Sequence, residues 1–491
     1  MNSDNAPKLK DNIGKREMLM LQFIMIAPCF FMTLKLDNDA YWLIQAGRNL
    51  IQNGIPHTDP LSMHEGLHYV MQQWLTAGLF AFLYDAIGAI GILIFVLAIF
   101  ISIVLVLFRL CMVISNQNMF VSYVVTIFDV IILFLYMSTR PYPISMLLFL
   151  LEIFVLEKYL HKYNKRWLIA IPILSLILIN FHGAIWPFFF IIMVPYAIDS
   201  FHFKVGFIQG EGYPKRDFLL AFVLAFFAGF ANPYGWELMT YLFRSYGNAG
   251  ISSYVSEMLP PDFQGASGIY VFGILLLVVG VLLLRKPPRL KLRYALLMLG
   301  TIFMALTSMR NLSLFAICGI PMLAFTLRDL NPSFKATKNV RPHLQKILLT
   351  LFFITIIATF SIRLYESQFY KDTFVPTKAV DYIFENYQGE DLHLFAGYNW
   401  GGYAEFRGLK PFIDARAEVF IKVNNKKADI LQDLIDLDSG RMHYAKFVQK
   451  YRLNVFLLER EDILETYLAK DPQYIMVYKD KDAVIFEKKV D

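Results

Sequence analysis

Cysteine is almost missing from this chain. Its three cysteines in 491 residues, Cys29, Cys111 and Cys318, all lie in apolar stretches, so neither a disulfide framework nor a cysteine-based zinc site is built into it. Charge is scarce too, at 18% against 57% hydrophobic residues, which leaves too little polar surface for a soluble protein of this length. With 27 glycines and 21 prolines the chain is neither collagen-like nor disordered. No internal repeat or low-complexity segment interrupts it.

What fills it instead is the uncharged run. Such runs extend over Met18 to Leu34, Ala86 to Phe108, Leu110 to Phe128, Trp167 to Ile198, Phe218 to Trp236, Phe263 to Leu284, Tyr294 to Met309, Asn311 to Leu327 and Ile347 to Ile362. Crossing the hydrocarbon takes about 20 residues of helix, so Trp167 to Ile198 holds two helices broken near Asn180 to Gly183. Adding the interrupted stretches around 120 to 137 and 141 to 160 predicts about eleven spans.

The net charge of +6 conceals two unlike parts. Residues 1–365 carry 28 Lys and Arg against 18 Asp and Glu, and residues 366–491 carry 18 against 22. A basic balance can mark a nucleic-acid binder, but here the excess flanks apolar runs, where it records topology; nucleic acid is not an expected partner. With the N-terminus cytoplasmic, 22 of the 28 face inward and six, Lys35, Arg48, Arg140, Arg244, Arg310 and Arg363, face outward. Residues 1–365 are therefore read as a transmembrane domain with a first extracytoplasmic loop at 36–86, and residues 366–491 as a soluble extracytoplasmic domain. The first run is read as a retained helix, since no small-residue cleavage site precedes Asp37. A multi-pass protein of a bacterial plasma membrane, serving the cell envelope, is the simplest localisation.

In the tail the pattern changes. Helical spacing over 377–388, strand-like runs at 392–398 and 410–414, helical pattern over 424–451, a strand at 453–458 and a hairpin at 474–487 turning on KDKD predict a small α/β domain. The expected class is thus a polytopic α-helical membrane protein with a C-terminal extracytoplasmic α/β domain.

The costly polar residues fall on the outer side of this topology. Asp37 and Asp39 open the first loop, followed by an amphipathic segment (Tyr41, Leu43, Ile44, Leu50, Ile51) expected to lie in the membrane interface. Later outer turns supply Arg140 in TRPYP, His182 in NFHGAIWP, Asn232 in ANPYGW and Arg310 in SMRNLSLF. Arginine beside hydrocarbon is expensive and is usually kept for an anion, and its planar fork suits phosphate oxygens. Each residue also has a plain structural reading: snorkelling for the arginines, a backbone-satisfied helix end for His182, a turn for Asn232-Pro233, an N-cap for the aspartates. Their coincidence on one face favours a site.

In the tail, GYNWGGYAEFRGLKPFIDARAEVF places Trp400 in a glycine-rich turn ahead of Asp414 and Arg416. It reads either as an ordinary strand connection with a paired Asp and Arg or as a charged lid over the site. Within the membrane, Asp129 and Glu152 point to a helix–helix hydrogen bond rather than an ion path.

Taken in order, DND-YW-GR-IP-DP-S after the first span, then TRPYP, NFHG, NPYGW, MRN-LF, NWGGY and FIDAR resemble a family of bacterial membrane proteins that look like relatives of the GT-C superfamily. These are multi-spanning glycosyltransferases using polyprenyl-phosphate-linked sugars. The resemblance runs from about Asp37 to about Phe486. It departs at Leu43, where relatives often have His after the aromatic pair, and at Ala415, where they have Gly.

The resemblance implies a GT-C-like membrane fold and a hexosyltransferase-class enzyme moving a sugar from a polyprenyl-phosphate donor to a glycan, lipid or protein acceptor on the outer face. It makes Asp39, then Asp37, the catalytic or metal-binding carboxylate, with substrate contacts at Arg140, His182, Arg310, Asn232, Trp400, Asp414 and Arg416. Whether the aspartates act as a base or hold a divalent metal stays open. Rival readings are a lipid-linked-saccharide or small-anion transporter and a non-catalytic envelope scaffold. Transport predicts charge through the membrane depth and internal repeats.

Overall fold

The computed structural model describes residues 22–32, 35–245, 247–285, 289–330, 358, 361–362, 375–387 and 391–489. Among them five helices are long and apolar enough to cross a membrane: Ala89–Ile114, Met119–Tyr136, Lys165–Ile185, Gly268–Arg285 and Met309–Leu327. Shorter apolar helices lie at Gln22–Phe31, Trp74–Ile87, Pro187–Asp199 and Leu292–Thr307. These helices do not by themselves establish the expected count of eleven, and the expected run Ile347 to Ile362 falls largely outside the described residues. The long run does divide. Helix Ala170–His182 passes into a 3-10 turn at Gly183–Ile185, and a new helix begins at Pro187, where proline costs no hydrogen bond.

Helix Ala266–Arg285 exposes Ile269, Phe272, Leu276, Leu277 and Leu283, a surface that hydrocarbon accepts and water does not. The chain is a multi-pass membrane protein. Helix Tyr142–Lys162 has 21 residues, and at about 1.5 Å per residue it reaches roughly across the hydrocarbon. Its far end is pinned by a buried ionic knot, in which Arg293 contacts Glu157 at 2.7 Å and Asp199 and Glu211 at 2.6 Å. A small sheet of β1 (Lys204–Val205), β2 (Ile208–Gln209) and β3 (Leu290–Lys291) lies at that same end.

Asp129 and Glu152 are fully buried, and none of their four carboxyl oxygens has a hydrogen-bond partner. The expected helix–helix hydrogen bond is therefore absent among the described residues.

The tail contains a four-stranded sheet in the order β4-β5-β7-β6, from β4 (Leu394–Ala396), β5 (Val455–Glu459), β6 (Tyr474–Lys479) and β7 (Ala483–Lys488). β4 runs parallel to β5 and the other pairs are antiparallel. Asp480 accepts from the N–H groups of Asp482 and Ala483 at 2.9 and 2.8 Å, which closes the KDKD hairpin. The stretch 410–414 is not a strand: Pro411 makes one bridge, to Leu394, and proline has no N–H to extend a ladder. The predicted helical stretch at 424–451 resolves into Lys422–Asn425, Ile430–Asp438 and Tyr444–Tyr451, divided where Lys426 and Gly440 take positive φ.

The first-loop helix, Asn38–Asn53, packs most of its apolar face against protein and leaves Ile51 exposed. Tyr41, Trp42, Leu43 and Ile44 are buried in protein. On one side helix Trp74–Ile87 packs so closely that a Cβ on Gly47 would fall 2.0 Å from the Ala77 carbonyl oxygen. On another, Gly402 of the tail brings its backbone to Asn38 and Trp42. An amphipathic pattern reports a buried face without naming what buries it.

Candidate active site

The loop helix starts on Asp37, whose carboxylate caps it by accepting from the Asp39 N–H at 3.2 Å. A carboxylate there is favoured by the unpaired N–H groups of the first turn. The Asp37 N–H donates to Thr139 Oγ1 at 2.7 Å, which ties this turn to the one preceding Tyr142–Lys162. Arg140, next in that turn, gathers three carboxylates: Asp37 at 2.9 Å, Asp39 at 3.1 Å and Glu257 at 2.9 Å. The Asp39 side chain is 23% exposed. Its carboxyl is pushed up to about 6, because burial, with repulsion from Asp37, Glu257 and Glu418, outweighs the attraction of Arg140.

The opposite wall carries His182 and Arg310. His182 ends its helix, is 4% exposed and holds Ser145 Oγ through Nδ1 at 2.9 Å. Arg310 sits on a 3-10 turn, Met309–Asn311, with its guanidinium carbon 5.3 Å from the centre of the Tyr142 ring. Among the described residues no carboxylate forms an ion pair with it, and its charge acts on Glu418 across the same cavity. Glu418 of the tail faces the same space, accepts from Gln72 Nε2 at 2.6 Å, and is pushed up by burial.

These groups line a cavity of about 390 Å³, walled by Asp39, Arg140, His182, Arg310, Tyr398 and Glu418 among others. A second cavity of about 420 Å³ shares Gln72, His182, Arg310 and Glu418 and continues past Phe149, Phe188 and Leu314. Phe188 and Leu314 also begin a third, an apolar groove of about 260 Å³ running along Ile191, Pro195, Leu297 and Gly300. Polarity falls steadily along the series.

Of the residues singled out in the sequence, Asp39, Arg140, His182 and Arg310 therefore meet, with Asp37 behind Arg140. Four others are placed differently. Asn232 spends its side chain on its own turn, donating to Gly229 and Gly235 carbonyls and accepting from the Tyr234 N–H. Trp400 packs into the apolar cluster containing Tyr41 and Val455, while its neighbours Tyr398 and Asn399 reach the cavity. Asp414 is fully buried and bound to Arg416. Arg416 touches the cavity wall, but its guanidinium is committed to Asp414, Glu405 and, in the first loop, Asp59. This is a tie between tail and loop, not a charged lid. The sequence reading passed over Glu257, Glu418 and Gln72. All three sat on the predicted outer face, and Glu418 is two positions beyond Arg416.

No family model and no curated protein matches the chain. Solved structures do share its fold. The Archaeoglobus fulgidus oligosaccharyltransferase, tethered with an acceptor peptide, matches 93% of this chain and 70% of its own at TM-score 0.58 and 12% identity. The chain shares the fold of that enzyme. The archaeal enzyme AglB with an inhibitory peptide and a dolichol-phosphate matches 92% and 70% at TM-score 0.60 and 12% identity, and a form with Zn and sulfate matches 92% and 68% at TM-score 0.54 and 11% identity. The likeness covers the membrane helices and the tail together.

Proposed function

We propose that the chain is a membrane glycosyltransferase that moves a sugar from a polyprenyl-phosphate-linked donor to an acceptor at the extracytoplasmic face. The observation that carries this is the junction of Arg310, which forms no ion pair among the described residues, and one basic carboxylate, Asp39, across a polar cavity that leads on to an apolar groove. Such a graded space fits an amphiphile whose head is a sugar phosphate and whose tail is a hydrocarbon. The dolichol-phosphate held by AglB has the phosphate and the hydrocarbon tail of such a molecule, and the inward bias of Lys and Arg supports the outward placement of the cavity.

In this reading the prenyl chain lies along Phe188, Leu297 and Gly300, and the phosphate meets Arg310, with His182 beside it. Asp39, ionised above about pH 6, accepts the proton of the acceptor's attacking group. The acceptor atom bonds to the anomeric carbon as the bond from that carbon to the phosphate oxygen breaks, and the polyprenyl phosphate leaves with the electron pair. Arg310 stabilises the charge that develops on it. Arg140, enclosed by carboxylates, orients Asp39 instead of holding phosphate.

The test is reconstitution in lipid nanodiscs with a radiolabelled polyprenyl-phosphate sugar and envelope acceptors. Release of polyprenyl phosphate coupled to acceptor labelling is expected, and is lost in Asp39→Asn. Movement of the intact donor across a sealed liposome without cleavage would identify a transporter instead.

A further inference from the structure

The resident charge of the carboxylate site is a question of its own. Asp37 and Asp39 from the first loop and Glu257 from a later outer loop form the kind of oxygen set that holds a divalent cation. The related fold has been solved with zinc. Yet here the point on which all three converge is occupied by protein. The Arg140 guanidinium lies 2.9 to 3.1 Å from an oxygen of each, with Nε and both Nη atoms in use.

A divalent ion requires oxygens at about 2.0–2.6 Å from its own centre, so it cannot share this position with a guanidinium. Among the described residues no group of three or more His, Cys, Asp or Glu is arranged to hold a metal, the carboxylates around Arg140 included. Arg140 is also fixed there by its chain: the preceding residue, Thr139, is bonded to the Asp37 backbone, and the following Pro141 opens the helix Tyr142–Lys162. The guanidinium is delivered to the carboxylates by the fold, at fixed register.

We propose that Arg140 is the built-in cation of this site, standing where a divalent metal would otherwise bridge Asp37, Asp39 and Glu257. Removing the guanidinium converts the site into a metal site. The proposal rests on reading this cavity as the catalytic one, but its test reads metal occupancy and stands apart from glycosyl transfer.

The experiment is Mn2+ titration of the full-length chain in nanodiscs, followed by electron paramagnetic resonance, for the parent, Arg140→Ala, Arg140→Lys and the double variant Arg140→Ala/Glu257→Gln. The parent and Arg140→Lys are expected to leave Mn2+ free. Arg140→Ala is expected to bind one equivalent, at least tenfold more tightly than the double variant. Parent binding of one Mn2+ that Asp39→Asn abolishes would overturn the proposal, even if Arg140→Ala fails to fold. So would a folded Arg140→Ala that binds none.

Discussion

Arg416 and Asp59, 357 positions apart in sequence, meet at 2.7 Å between Nη1 and Oδ1 with both side chains sealed from solvent. The contact joins the tail to the first outer loop. Trp42 and Tyr69 lie over the same guanidinium at 5.5 and 5.3 Å, so charge and aromatic faces converge on one joint.

Arg416→Ala leaves Asp59, Asp414 and Glu405 buried without their cation, which should cost about 3–5 kcal/mol. The tail of that variant is expected to become protease-sensitive in sealed vesicles while the membrane helices stay intact. Burial resists ionisation of Asp59, but Arg416 and Ser62 outweigh it and hold the carboxyl below its ordinary 3.8. A low folded value means that the contribution of Asp59 is fully present at neutral pH and weakens as pH falls through that value. Equal protease resistance of variant and parent would show the joint to be dispensable.

Asp39 titrates near 6, so kcat/KM should rise about tenfold per pH unit below that value and level off above it. Because folding raises this carboxyl, the stability it contributes is lost as pH rises through about 6. Asp39→Asn is therefore expected to abolish turnover yet melt at a higher temperature than the parent at pH 8. A variant that keeps the acidic limb of the profile would exclude Asp39 as the base.

Arg310→Ala should weaken donor binding by about 10- to 100-fold, the loss expected for a charge-assisted hydrogen bond to phosphate. Arg310→Lys should recover part of it. The reading is the donor KM at fixed acceptor, and an unchanged value would move the phosphate elsewhere.

A Cβ on Gly300 would meet nothing within 4 Å, so Gly300→Trp can fill the apolar groove without disturbing backbone. It is expected to raise KM for a long-chain donor and spare a short-chain analogue. Equal effects on both would argue that the prenyl chain runs along a different path.

The cluster of polar residues around the cavity was legible because topology decides sides. Asp37, Asp39, Arg140, His182 and Arg310 are far apart in sequence, yet alternating runs put them on one face, where they do meet. Asp414 and Arg416 were legible as a pair but not as a joint, since their deciding partner Asp59 lies in a loop that periodicity does not place. The burial of the Asn38–Asn53 helix depended on Gly47 and Gly402, and a glycine in sequence does not announce which backbone will approach it. Glu257 and Glu418 were hidden for a simpler reason: an isolated glutamate on an outer segment reads as solvated surface, whereas Glu257 pairs with Arg140 and Glu418 faces the cavity.

The fall in polarity from Asp39 to Gly300 has a kinetic consequence. A donor that arrives sideways from the bilayer is sampled in two dimensions, so turnover should follow its mole fraction among the lipids. Diluting the same amount of donor into more phospholipid would slow the reaction, even though its concentration in the test tube is unchanged. The acceptor, meeting the wet end beneath the tail, would obey ordinary volume concentration if it is water-soluble.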